Sequence, residues 1–182
     1  MALLILGLLL WWGAHLFKRL APDMRASLGS KGRPLVALAL LLSIVLMVIG
    51  YRGAEYYDIA AVPPMLRHIN NLLVLIAIFL MSPAPKKGAL LHGMRHPMLA
   101  GFKLWALAHL LVNWDLASFV LFGGLLAWAV VEVIVINRRE PEWQPGPKGT
   151  WAKDGMFLAG SIVLLGVIGY VHGMIGPSPF GG

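Results

Sequence analysis

At 182 residues the chain is long for one average domain and short for two. Hydrophobic residues make up 59% of it and charged residues 13%, where a soluble domain carries roughly 25% charge, so a soluble enzyme and a disordered chain are both excluded. The absence of cysteine excludes disulfides, thiolate-held zinc or iron–sulfur clusters and cysteine nucleophiles, and a net charge of +7 on so apolar a chain belongs to membrane-surface loops, not to nucleic-acid binding.

A hydrocarbon core about 30 Å thick takes about 20 apolar residues as a helix. Lipid offers no partner to an unpaired peptide group, so each apolar stretch of that size reads as a helix. The first runs from Ala2 to Phe17 and is followed by Lys18 and Arg19. It has no basic region before it and no small-residue cleavage pattern after it, so it reads as an uncleaved helix with its amino end outside. The second is Pro34–Tyr51, the third Leu66–Met81, the fourth Pro97–Asn113, the fifth Leu116–Ile136 and the sixth Gly155–Ile175. Asn113-Trp114-Asp115 joins the fourth and fifth as a tight antiparallel hairpin. The expected class is all-α, a polytopic transmembrane bundle of about six helices.

Twelve of the fifteen basic residues fall in alternate loops, at 18–33, 82–96 and 137–154. Those loops read as cytoplasmic, which puts both termini outside. Arg52 and Arg67 fall on the other side, beside Glu55 and Asp58. The Pro-rich turns Pro83-Ala-Pro85 and Pro141–Pro147 end helices. Residues 1–140 form one five-helix domain. Residues 141–182 supply a cytoplasmic linker, the sixth helix and a tail, Pro177–Gly182, with too little apolar content to dock.

Six histidines stand out in so apolar a chain. His15 lies near the cytoplasmic end of the first helix, His92 and His96 flank the entrance to the fourth, and His68 and His172 lie near outer ends. His109 sits within the fourth helix, about 6 Å from its outer end. Ionisable groups at membrane depth are costly and face the bundle interior, so His109 reads either as a structural histidine or as a ligand. No His-Glu-x-x-His and no pair of acids at helical spacing occurs, which argues against a zinc-protease or di-iron site. Two histidines on different helices suit b-type haem, which needs axial imidazoles and an apolar cleft. Trp105, one turn before His109 on the same face, either packs between helices or lines a porphyrin edge.

Arg95-His96-Pro97-Met98-Leu99-Ala100-Gly101 is the most specific local pattern. Pro97 suits the first helical position, Gly101 admits a close neighbour, and Arg95 and His96 can reach anionic groups or anchor at the interface. Counted inward from the hairpin, Glu132 lies about 24 Å deep and Arg95 about 27 Å, so Glu132 is expected to pair with Arg95 or His96. Lys103, about 15 Å from the outer turn, snorkels or meets a ligand carboxylate.

Gly13-Ala14-His15 before a basic pair, Pro63-Pro64-Met65-Leu66-Arg67-His68, and the run from Arg95-His96-Pro97-Met98 through Lys103-Leu104-Trp105-Ala106-Leu107-Ala108-His109 resemble the NnrU family over about residues 1–140. Residues 141–182 match no pattern of that family. The resemblance implies a bacterial membrane protein associated with nitrite and nitric oxide reduction, with a nitrogen-oxide reductase as a possible partner. NnrU proteins are also similar to 15-cis-zeta-carotene isomerase, a membrane enzyme with b-type haem and an apolar isoprenoid substrate. That likeness implies haem ligation by His15 and by His109, thirteen residues after His96. The isomerases' further motif after the fourth helix is unmatched, and Trp128 stands in its place. Helix depth alone would pair His68 with His109. The Arg-His-Pro entrance also resembles the S-adenosylmethionine-dependent isoprenylcysteine methyltransferases, whose later Glu-Glu pair has only Arg139-Glu140-Pro141-Glu142-Trp143 as a counterpart. A non-catalytic assembly role is the remaining reading.

Overall fold

The computed structural model describes residues 1–55, 57 and 59–180. Asp58, which the charge pattern set beside Arg52 and Arg67, lies outside them, as do Gly181 and Gly182 of the tail. The chain is helical: α1 (Ala2–Leu20), α2 (Pro22–Ser27), a short 3-10 turn (Gly29–Lys31), α3 (Gly32–Arg52), α4 (Met65–Met81), α5 (Ala84–Lys87), α6 (Pro97–Val112), α7 (Leu116–Arg139) and α8 (Trp151–Ile175). No strand occurs among the described residues. Each expected span is a helix. α1, α3, α7 and α8 are long and apolar enough to cross a membrane, while α4 and α6, at 17 and 16 residues, are shorter.

Two helix ends run past the apolar stretches for local reasons. α8 starts four residues early because Thr150 caps it, its Oγ1 accepting from the Lys153 backbone N–H at 3.4 Å. α1 carries Lys18 and Arg19 in its last turn, where cations meet the negative end of the helix dipole. The Pro-started turns α2 and α5 fall within the basic loops, where the apolar pattern gave no signal.

The chain forms two compact units. The first joins residues 1–60 to 114–141. In it α1 and α3 run antiparallel and very close, with Gly7 against Met47 and Ser43 and Gly50 against the backbone of Leu4, which is fully buried. Lipid tails are as apolar as leucine, so close backbone approach and polar contacts, not hydrophobicity, drive such pairing. α7 lies parallel to α1: Leu8 packs on Gly124, Trp12 Nε1 donates to the Gly124 carbonyl at 3.1 Å, and Arg19 reaches Glu132. The start of α7 is fixed by Asp115, whose Oδ1 accepts from Ser118 N at 2.9 Å and whose Oδ2 accepts from Ser118 Oγ at 2.5 Å. Tyr51, at the end of α3, donates in turn to Ser118 Oγ at 2.8 Å.

The second unit joins residues 61–113 to 142–182. α4 and α6 run antiparallel, with Gly101 against the Ala77 carbonyl. Asn70, buried on the α6-facing side, has its side-chain amide 2.9 Å from the Ala108 carbonyl. α8 runs antiparallel to α4. At its start, Asp154 Oδ2 accepts from Ala89 N at 2.7 Å and Leu90 N at 3.0 Å, and Gly149 N donates to Gly88 O at 3.0 Å. At its end the tail is tied down. Asn71 Nδ2 donates to Pro179 O at 2.9 Å, His172 Nδ1 donates to Pro177 O at 2.8 Å, and the Phe180 ring covers Gly169. The tail, expected not to dock, is held through Phe180 by polar side chains on α4 and α8 together with the Phe180 ring.

The helix directions gather the basic residues at one end of each unit. In the first these are Lys18, Arg19, Arg33, Arg138 and Arg139; in the second, Lys86, Lys87, Lys148 and Lys153. Asp154→Ala strands two backbone N–H groups in the second unit. Each unsatisfied buried donor costs about 1–3 kcal/mol, so thermal unfolding in detergent should fall clearly below wild type, and an unchanged midpoint would contradict the latch.

Candidate intramembrane histidine sites

On α1, Trp11, His15 and Arg19 recur every four residues and so form one stripe. His15 Nδ1 lies 3.1 Å from the Trp11 carbonyl, one turn back. A carbonyl only accepts, so Nδ1 carries the proton and Nε2 carries the lone pair. The imidazole rests against two indoles, with its centroid 4.2 Å from Trp11 and 4.5 Å from Trp128 of α7. The indoles themselves meet edge-on at 5.2 Å and 79°. Trp128, buried on α7, is thus a wall of the His15 site.

α6 repeats the device. His109 Nδ1 lies 2.9 Å from the Trp105 carbonyl, and the two rings are 4.8 Å apart at 50°. Phe102 continues the aromatic row, 5.2 Å from Trp105. The Trp105 carbonyl is thus the acceptor for the His109 ring N–H. Asn113 acts elsewhere: its Nδ2 donates to the His109 carbonyl at 2.8 Å and caps the helix. Trp105 and His109 were marked in the sequence as a pair. The same Trp-x-x-x-His spacing at Trp11 and His15 was equally visible there and is the missed signal.

His68 is exposed on α4. It lies two residues before Asn70, hence about 200° around the helix from the side that meets α6. Its helix therefore turns it away from α6, which depth alone could not tell. His96 and Arg95 are half-buried at the entrance of α6, with His96 in the N-cap position and Pro97 at the first turn. Lys103 is half-buried on α6.

Glu132 is 5% exposed, and its Oε1 accepts from Arg19 Nη1 at 2.8 Å. Arg19 Nη2 also lies 3.6 Å from Glu140 Oε1. The hairpin count had set Glu132 level with Arg95 and His96. Because α1 lies parallel to α7, it is Arg19 that arrives at the Glu132 level, a neighbour that counting within one hairpin does not include. Among the described residues no three His, Asp or Glu side chains gather to hold an ion. What the two histidines share is the chemistry of a haem axial ligand: a neutral imidazole, its tautomer fixed by a backbone acceptor, beside flat aromatic rings. Each histidine, within its own unit, offers the kind of donor that such a group takes.

A family model described as NnrU protein matches residues 3–179, nearly the whole chain, and the chain belongs to that family. The match runs through 141–179, the segment that the sequence motifs left unassigned. No curated protein and no solved structure is matched.

Proposed function

Starting from membership in the NnrU family, we propose that the protein is a multi-pass component of the bacterial inner membrane that holds b-type haem with His15 and His109 as iron-ligating imidazoles, and that it serves nitrite and nitric oxide reduction beside a nitrogen-oxide reductase. One observation supports this above others: the Trp-x-x-x-His turn occurs twice, each time with Nδ1 held by the carbonyl one turn back. That bond makes Nε2 the ligating nitrogen and fixes the ring's direction before any iron arrives. Bound haem would supply one-electron and small-ligand chemistry at its iron. Around it the chain's residues orient and exclude: Trp11 and Trp128 hold the His15 ring, Trp105 lies beside His109 with Phe102 next to Trp105, and the apolar helices keep water out.

The ligand pair is tested by substitution in full-length protein purified with ample haem. His15→Ala should convert a low-spin spectrum to a high-spin one, whereas His68→Ala should leave it unchanged. The reverse pattern would move the second ligand to α4.

The alternating basic loops support an orientation with both termini outside. A reporter active only in the periplasm, fused after Gly182, should then be active. Activity there of a reporter that works only in the cytoplasm would contradict the six-span arrangement.

A further inference from the structure

His15 lies between two polar contacts that join α1 to α7. On its amino side Trp12 Nε1 donates to the Gly124 carbonyl at 3.1 Å; on its carboxyl side Arg19 meets Glu132 at 2.8 Å. Across to α7, His15 itself meets the Trp128 ring, 4.5 Å between centroids and tilted by 58°, an apolar contact that fixes register less than a hydrogen bond does. Within lipid, apolar side chains gain little by choosing protein over acyl chain, so polar contacts decide how two helices align. The ion pair is also an expensive one. Glu132 Oε2 and Arg19 Nε are both buried without a hydrogen-bond partner among the described residues. A buried pair with unsatisfied atoms recovers its desolvation cost poorly, so stability is a weak account of it, and fixing one alignment is the better-attested use of such groups.

We propose that Arg19 and Glu132 are positioning residues for His15: they set the register of α1 against α7 that holds the imidazole between Trp11 and Trp128. The proposal rests on the haem reading for its consequence, since a displaced His15 presents its Nε2 in the wrong place.

The test uses the full chain with three variants: Glu132→Gln, which keeps shape and removes charge; Arg19→Lys, which keeps charge and loses the fork; and the exchange Arg19→Glu with Glu132→Arg. Two readouts are taken. In haem-loaded protein, Glu132→Gln should keep haem through His109 but shift the spectrum from low-spin towards high-spin, and the exchange should restore it. In haem-free protein, the proton NMR signal of the His15 ring, assigned by its loss in His15→Ala, should be displaced by the ring currents of the two indoles. That displacement should shrink in Glu132→Gln and return in the exchange. Should Glu132→Gln fail to fold, Arg19→Lys gives the same two readings. A His15 signal and spin state unchanged in folded variants would overturn the proposal. A wild-type protein without haem would overturn the haem reading alone, because the ring-current displacement still reports the position of His15.

Discussion

His109→Ala is expected to abolish the low-spin haem spectrum, and Trp105→Leu to preserve it. The contrast follows from which atoms do the work. His109 supplies the ligating nitrogen itself, for which alanine has no replacement. Trp105 supplies its backbone carbonyl to Nδ1 at 2.9 Å, and that acceptor survives any side-chain change that keeps α6 helical. Loss of an outer partner to a metal-bound histidine costs about 10–100-fold in affinity. Trp105→Leu, which retains the partner, should fall short of that and change mainly the packing beside the ring. Asn113→Ala should likewise keep the spectrum, since Asn113 caps the helix end and does not touch Nδ1. Equal loss of haem in all three variants would mean that α6 had come apart and would remove the distinction.

A large structural effect is expected at Gly50. A Cβ there would fall 2.2 Å from the Leu4 backbone nitrogen and 2.7 Å from its Cα. The obstacle is main chain, so no rotamer change relieves it, and α1 and α3 must separate. Overpacking a tight core costs about 1–3 kcal/mol, and Gly50→Leu should reach the upper end or prevent folding. Gly13, on α1 with nothing within 4 Å of a Cβ, is the matched control. Gly13→Ala should be neutral or stabilising by up to about 1 kcal/mol through helix propensity. Thermal unfolding in detergent compares the two, and similar midpoints for Gly50→Leu and Gly13→Ala would refute the close packing of α1 on α3.

What could be read from the sequence follows from which signals lipid preserves. Span positions come from hydropathy, and those expectations match α1, α3, α4, α6, α7 and α8. The N-cap at Asp115 and Pro97 at the start of α6 were visible as turn chemistry. Which helix lies beside which was not visible. An exposed leucine such as Leu38 or Leu41 and a protein-facing one such as Leu4 or Leu8 have the same hydropathy, so periodicity carries little pairing information within the bilayer. The parallel contact of α1 with α7, and with it the Arg19–Glu132 pair, therefore had to come from the structure. The same holds for the tail, one of whose anchors is a single polar group on a distant residue, Asn71. For the histidines, the pairing of the Trp105 and His109 rings was legible from their four-residue spacing. The fixed tautomer was not, because it depends on a backbone carbonyl that every residue possesses.

The most direct test of the central claim is the reduced-minus-oxidised absorption spectrum of the wild-type protein, purified in detergent after expression with ample haem. The account predicts a sharp low-spin b-type difference spectrum from haem held by two imidazoles. A colourless preparation of folded protein would contradict it.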